Sequence, residues 1–597
     1  MRHLVLAAFL APALLGAQSQ PLLFHDVRLF DGARVTQHRD VLVRDGRIAG
    51  VGASIAAPAG AQVIDGAGKT LLPGLIDSHT HSWGDALATA LVFGVTAELD
   101  MFTDYRWAAQ MRAEQRDGKA NARADLYSAG TLTTAPKGHG TEYGIVIPTI
   151  TNPDSAQAFV DARVAEGSDY IKIILDDGHA YGMTLPTLSD ATLRAVIAAA
   201  HRRGKLAVVH IGDLAGARQA IAAGADGLMH LFVDKEPDAD FGRFASAHHV
   251  FVVPTLVVLR SITGAGGGAP LATDPRTSPY LSAAEKKTLT TGFPQRANAT
   301  VSYPAAEHSV AQLVAAGVPI LAGTDAGNPG TSHGAALHRE LELLVNAGMT
   351  PTQALVAATS APAKAFRLTD RGRIATGLRA DLLLVNGDPT TIITATRDIE
   401  GIWKAGVHVD RGAYARSVAA ADAQASATPV GAADGLVSDF EAGRADAQFG
   451  LGWMVSNDAM AGGKSTGQMS VVDGGANNST KSLSITGTVS DALPYAWAGA
   501  MFTPGTQPMQ AVNLSSKKEI TFWAKGDGKT YRVMIFAQSK GYVPLTQTFV
   551  AGAEWKQITM PLSGFSGIDG HDIMALIFAG GPQAGGFAFQ IDDVRFR

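Results

Sequence analysis

The feature that most limits what this chain can fold into is a recurring unit: an apolar run of β character, a turn, then a helical stretch, repeated across about 290 residues. Eight runs fit it: GLIDSHTH (74–81), GVTAELD (94–100), ADLYSAGTL (124–132), DYIKIIL (169–175), LAVVH (206–210), DGLMH (226–230), VFVVPT (250–255) and VPILAGTD (318–325). Strands alternating with helices give parallel βαβ units, and eight of them close into a TIM barrel. An open doubly wound sheet is the rival, but it does not account for polar residues at the C-terminal ends of so many separate strands. The expected fold class is therefore an α/β TIM barrel over residues 73–366, with attachments on both sides.

Residues 21–72 and 367–412 read as short strands, with Asp-Gly turns at 31–32, 45–46 and 65–66, and together predict a small composite β domain. Residues 413–432, rich in Ala with scattered Ser, Gln and Asp, read as a linker. From 433 to 597 the segments KSLSITGTV, KEITFWAKG, KTYRVMIFAQ and EWKQITMPL predict an all-β jelly roll. Residues 256–299, containing GAGGGAP, form a long insertion after the seventh strand; Gly264 and Gly266 to Gly268 suggest a pliable segment able to close over a small molecule.

Composition excludes several function classes. Among 597 residues, 49 Lys+Arg against 54 Asp+Glu leave a net charge of −5, with no basic excess of the kind that nucleic-acid binding needs. The absence of Cys removes disulfides, thiolate metal sites and thiol nucleophiles. Residues 1–17, MRHLVLAAFLAPALLGA, have signal-peptide grammar, so the expectation is export to the periplasm or beyond, with cleavage near Ala17. No segment is long and apolar enough to predict a membrane span.

The chemistry-bearing residues cluster at the predicted strand ends. His79 and His81 are two apart, so both imidazoles share one face of the first strand. His210, His230 and Asp325 each close another apolar strand, where barrel enzymes keep their polar groups, and four His with one Asp match the nitrogen and oxygen ligand set of a divalent metal. Lys172 interrupts the apolar run YIKIIL, where an unpaired ammonium is costly. A buried carboxylate partner would answer that cost; the preferred reading is a lysine of lowered pKa whose neutral amine takes up carbon dioxide, giving an anionic carbamate between two metals. Asp176, Asp177 and His179 follow the fourth strand, but Asp-Asp-Gly is also ordinary turn chemistry. His201 reads as a surface residue, and His333 and His338 as capping or packing residues, with His333 near enough to the eighth strand to line a pocket.

Taken in order, LLPGLIDSHTH, Lys172 in DYIKI, the ends at His210 and His230, GTDAG around Asp325 and the closing ADLLLVNGDP resemble the amidohydrolase superfamily across about residues 21–412. Within it, LHRELELLVNAGMTPTQALVAATSAPAKAF resembles the imidazolonepropionase-like and Xaa-Pro or Xaa-Arg dipeptidase branch. The resemblance implies two divalent ions, zinc being expected: one on His79, His81 and Asp325, a second on His210 and His230, and carboxylated Lys172 bridging them. It further implies an exported hydrolase that cleaves an amide bond of a dipeptide or N-acyl amino acid by a metal-bound hydroxide, with Asp325 as general base and acid. A cyclic amide of lactam or imidazolone type is the alternative substrate. His139, in PKGHGTEYG, resembles a glycine-flanked histidine of this branch that contacts the reacting carbonyl. Ile211-Gly212 and Met229 depart from the branch, which carries a substrate-holding aromatic or polar residue after the first of these histidines and an acidic residue before the second.

Residues 435–597 resemble the complex I intermediate-associated protein family, a galactose-binding-like jelly roll, through FWAKGDGKTYRV, EWKQITMPL and IDDVRF. Trp453, Trp497, Trp523 and Trp555 could offer a carbohydrate platform, although aromatics on sandwich strands more often fill the core. A non-catalytic, carbohydrate-binding envelope protein is accordingly the rival function. The expected partners are a small amide or dipeptide and carbohydrate at the C-terminal domain, with no nucleic acid; a homo-oligomer is left open.

Overall fold

The computed structural model describes residues 20–141, 147–425, 434–458, 463–493, 495–505, 509–540 and 544–597. The expected signal peptide, 1–17, lies outside the described residues, as does the later part of the expected linker. The chain divides into two compact units: Met1–Ala135 with Ile150–Thr277 and Leu289–Asp410, and Pro136–Thr149 with Ser278–Thr288 and Arg411–Arg597.

In the first unit, both flanks of the α/β region build one eight-stranded sheet. Leu22–Phe30 pairs antiparallel with Val35–Arg44, and Lys69–Pro73 pairs antiparallel with Leu382–Asn386, setting Leu72 opposite Leu383. Its core gathers Phe24, Val41, Leu71, Leu384 and Trp403, with Phe24 edge-on to Trp403 at 4.7 Å between ring centroids.

The α/β region supplies two parallel sheets. Leu75–Thr80, Val95–Asp100 and Asp125–Ser128 form one; Ile171–Leu175, Ala207–Ile211, Gly227–Met229 and Phe251–Val253 form the other. Parallel bridges Thr133↔Ile173, Val252↔Ile320 and Thr80↔Ala326 join them on both sides and complete the ring of a TIM-barrel core. The eighth expected strand, VPILAGTD, is thus an extended segment held by bridges. Regular pairing fails because Thr324 N and Asp325 N both donate to His79 O, at 3.2 and 2.7 Å. Gly323 permits that approach, since a Cβ there would meet His79 N at 2.9 Å.

Helices cover the strands for the reasons their sequences give. Asp190–Arg202 starts where the Ser189 side chain accepts from Thr192 N, stops before Gly204 in the left-handed region (φ 67°), and buries Leu193, Val196, Ile197 and Ala200 in the shared core. The 256–299 insertion is not the pliable loop expected. It contains the helix Leu256–Ile262, the turn Ala269–Ala272 and the helix Ala283–Thr290. Two of its glycines are packed: Gly268 N donates to Gly330 O at 2.7 Å, and a Cβ at Gly267 would meet that oxygen at 2.6 Å, so backbone contact fixes that point, whereas Gly264 and Gly266 are exposed.

In the second unit the first part of the expected linker is a helix, Arg411–Ala425, with the Arg411 guanidinium 3.8 Å from the Tyr280 ring centroid. Asp422 accepts from Ala283 N, and Lys287 pairs with Asp569. The remainder is all β, with two antiparallel sheets of six and five strands that share one core, including Leu483, Ile485 and Ile591 from the first and Val533, Ile535 and Phe578 from the second. Trp453 belongs to that core, its Nε1 donating to Ser438 Oγ at 2.9 Å, so it cannot serve the carbohydrate platform considered above.

A buried ionic staple ties the composite sheet to the N-terminal ends of the barrel strands. Asp125 opens the strand Asp125–Ser128 and is paired by Lys404 at 2.7 Å, Arg371 at 2.6 Å and Arg379 at 3.2 Å; Lys404 Nζ also donates to Thr96 O at 2.9 Å. Burial works to raise the Asp125 carboxyl, but these cations hold it below 3.8, so its stabilisation is present above that pH and is lost as acid titrates it. Asp125→Asn should remove the nearest counter-ion of Lys404 and Arg371, leaving the buried Asp381 at 3.7 and 3.8 Å as a more distant one, and cost up to about 3–5 kcal/mol in chemical denaturation. Asp117→Asn, at the exposed Lys119 pair, should change stability by less than about 1 kcal/mol in the same measurement.

Candidate metal centre

The six residues singled out as ligands sit at the C-terminal ends or inward faces of the barrel strands, and direct contacts join them into one cluster. His79 lies in the strand Leu75–Thr80, with His81 one residue beyond it on the same face. Asp77 pins this strand to the eighth segment, accepting from His79 N at 3.2 Å, Thr324 N at 3.1 Å and Thr324 Oγ1 at 2.7 Å. Lys172 is the second residue of Ile171–Leu175, and His210 lies in Ala207–Ile211. His230 and Asp325 follow their strands in the left-handed region, at φ 73° and 58°, a backbone that turns each side chain out of strand direction.

His79 Nε2 and His81 Nε2 approach the same oxygen, Asp325 Oδ1, at 3.4 and 3.1 Å. Lys172 Nζ lies 3.3 Å from His79 Nε2. The His79 and His230 ring centroids are 4.5 Å apart, and those of His230 and His210 4.4 Å. His79, Lys172, His230 and Asp325 are buried. Lys172 forms no ion pair among the described residues, which disposes of the buried-partner alternative as a direct salt bridge.

Outer partners fix how the rings face inward. His81 Nδ1 bonds the Phe102 carbonyl at 3.2 Å; a carbonyl only accepts, so Nδ1 carries the proton and Nε2 the lone pair. His210 Nε2 donates to Asp176 Oδ2 at 3.3 Å, leaving Nδ1 as its lone-pair nitrogen. His230 Nδ1 lies 2.7 Å from Thr255 Oγ1, whose own proton goes to Pro254 O at 2.8 Å, so His230 donates there and presents a lone pair at Nε2. Three of the four rings therefore have the partner pattern of metal-binding histidines.

The electrostatics agree with a cation-binding cluster. Burial, reinforced by Lys172, holds His79 well below 6.5, and burial with His210 does the same for His230, so both rings are neutral. Burial also works to raise the Asp325 carboxyl, but the surrounding rings of His79, His81 and His230 hold it well below 3.8. Lys172 is pushed down to about 7 by burial, against the pull of Asp325 and Asp100. His79 Nδ1 and Asp325 Oδ1 are buried without a hydrogen-bond partner of good geometry, although His79, His81 and Asp325 bring one ligand atom each within 4.8 Å of one another. An anionic oxygen and neutral imidazoles facing each other, with an orphaned carboxylate oxygen between them, are a donor set that fits a divalent metal.

The other candidates have different surroundings. His139 lies half-buried in a turn within Pro136–Thr149, a segment of the second unit. His179 is exposed and bonds Asp177 at 2.5 Å; with Asp213 these form a second close acidic group, distinct from the buried one. His201 is exposed and pairs with Asp226 at 2.8 Å. His338 is buried and packs, bonding Thr396 Oγ1 and the Phe93 carbonyl. His333 bonds Glu98, which also accepts from Ser82, in a polar layer that includes Asp100. The sequence reading missed that layer and Thr255, because nothing in a TL or ELD pair marks a side chain that supports a ligand. Asp176, discounted as turn chemistry, holds His210 and also explains Gly212: a Cβ there would meet Asp176 Oδ1 at 2.2 Å, which leaves no room for the substrate-holding side chain of the branch.

A barrel core of parallel strands carries this cluster at its strand ends, and comparison with known proteins gives its family. The model of the amidohydrolase family matches residues 70–409, and the chain belongs to that family, hydrolases acting on carbon–nitrogen bonds. The model of complex I intermediate-associated protein 30 matches residues 439–571. The chain is similar to imidazolonepropionase of Deinococcus deserti, 27% identical over 62% of this chain and 91% of that protein, and to imidazolonepropionase of Streptomyces griseus, 27% identical over 65% and 97%. Among solved structures, a Xaa-Pro dipeptidase with bound methionine superposes with a TM-score of 0.54 at 23% identity, covering 66% of this chain and all of that one. Molinate hydrolase gives 0.52 at 20% identity, covering 66% and 96%.

Asp176→Ala should remove the acceptor that orients His210 and weaken divalent metal binding by about 10–100-fold while the chain stays folded. Competition titration against a chromophoric chelator measures this; an unchanged affinity would show that His210 needs no such support.

Proposed function

We propose that this amidohydrolase is an exported, binuclear metal-dependent enzyme that cleaves the amide bond of a dipeptide or an N-acyl amino acid. The observation that carries the reading is the buried convergence of His79 and His81 on Asp325 with Lys172 and His230 alongside. His79, His81 and Asp325 would hold one cation and His210 and His230 another, with zinc the metal best suited to this nitrogen and oxygen set. Two such cations, when bound, lower the pKa of water and polarise the amide carbonyl.

The residues themselves supply the rest. Asp325, anionic at neutral pH, takes the proton that the attacking water loses and returns it to the departing nitrogen. Lys172, with its amine titrating near 7, retains a neutral fraction that adds carbon dioxide: an N–C bond forms, one proton leaves, and a carbamate anion faces the cluster. Export rests on the signal-like sequence 1–17. The imidazolonepropionase relatives support a second reading, hydrolysis of a cyclic amide at the same centre.

Two experiments test the proposal. Zinc-loaded full-length protein screened against dipeptides, N-acyl amino acids and lactams should turn over one of the first two classes; turnover of lactams alone would select the second reading. Lys172→Ala should lose bound metal and most activity, with partial rescue by a short carboxylate, and labelled bicarbonate should give a carbamate carbon signal in the parent only. Full activity in Lys172→Ala would reject the carbamate.

A further inference from the structure

A fully buried acid outside the cluster is committed to the turn that aims one of its rings. Glu340, on the helix Ala335–Asn346, places both carboxylate oxygens on consecutive backbone N–H groups, Leu256 at 2.9 Å and Val257 at 2.8 Å. These are the first two residues of the helix Leu256–Ile262, whose N-cap position is Thr255.

A threonine at an N-cap normally turns its hydroxyl onto the N–H of the second or third helical residue, here Val257 or Val258. Thr255 makes no such bond. Its hydroxyl is spent on Pro254 O and His230 Nδ1, and its backbone sits in the left-handed region at φ 53°, a strained conformation for a β-branched residue. Such strain persists only where the surroundings over-determine it, and the Glu340 carboxylate is the group that anchors the backbone just after Thr255. From this we infer that Glu340 is a positioning residue for the metal centre. By capping the helix in place of Thr255, it releases the Thr255 hydroxyl to fix the tautomer and direction of His230.

The inference rests on the metal reading above, and its test begins by separating the two. Metal-free full-length protein is titrated with zinc against a chromophoric chelator and with cobalt(II) followed by its visible absorption. If the parent chain takes up neither ion, the metal reading fails and this inference with it. If the parent binds, Glu340→Gln, which sets an amide NH2 against one of the two N–H groups, and Thr255→Val, which removes the hydroxyl at constant shape, should each weaken binding about 10–100-fold. Both should alter the cobalt spectrum, and Thr255→Ser should restore affinity. Because the two residues act through one ring, the double variant should lose no more than the weaker-binding single variant. Glu340→Asp, able to keep one of the two bonds, should fall between and stands in should Glu340→Gln fail to fold. Parental affinity in either Glu340 variant, or losses that multiply in the double variant, would overturn the inference and leave Glu340 as a helix cap alone.

Discussion

The Asp325 carboxylate is the group around which the rest of the site is organised. A buried anion is costly unless it is paired, and here its neighbours are neutral imidazoles and a lysine whose ammonium is itself destabilised by burial. Hydrogen bonds from the two Nε2 atoms do not satisfy it: the His81 proton is better placed on Nδ1, where the Phe102 carbonyl accepts it, and Asp325 Oδ1 is left without a partner of good geometry. The arrangement asks for a cation. The shell behind it, Asp176 on His210, Thr255 on His230 and the Phe102 carbonyl on His81, is the physical expression of that demand.

The barrel separates this demand from its source of rigidity. At the N-terminal ends of the strands, Asp125 with Lys404, Arg371 and Arg379 ties the composite sheet to the core through charges that are buried and mutually paired. At the opposite ends, the chain bends out of strand geometry at His230, Thr255 and Asp325, all with positive φ. Strain is tolerated there because neighbouring segments hold the backbone: Asp77 staples the first strand to the eighth segment, and Glu340 anchors the turn after the seventh. A barrel suits this arrangement because each strand delivers one side chain to a common mouth while its own hydrogen bonds remain lower in the ring.

Family membership fixes the reaction class but not the substrate, and two features of this chain bear on its departure from the branch it resembles. Gly212 follows His210 because the carboxylate that orients the ring occupies the space a side chain would need. Met229, before His230, is buried in an apolar cluster with Val208, Phe251 and Val253. The 256–299 insertion, read as a pliable lid, contains two helices and a turn, with Gly267 and Gly268 held against the Gly330 carbonyl.

By itself the sequence determined the alternation of strand and helix, and with it the placement of His79, His81, Lys172, His210, His230 and Asp325, because strand period and strand-end position are local properties that side-chain type records directly. Only the tertiary structure decided which residues support them. Thr255 is 25 residues from His230, Glu340 is 84 from Leu256, and Asp176 is 34 from His210, so no local pattern links the members of each pair. The glycines of the insertion misled for the same reason: glycine permits a flexible loop and a close backbone contact equally, and the choice between them rests on what lies opposite, here the Gly330 carbonyl.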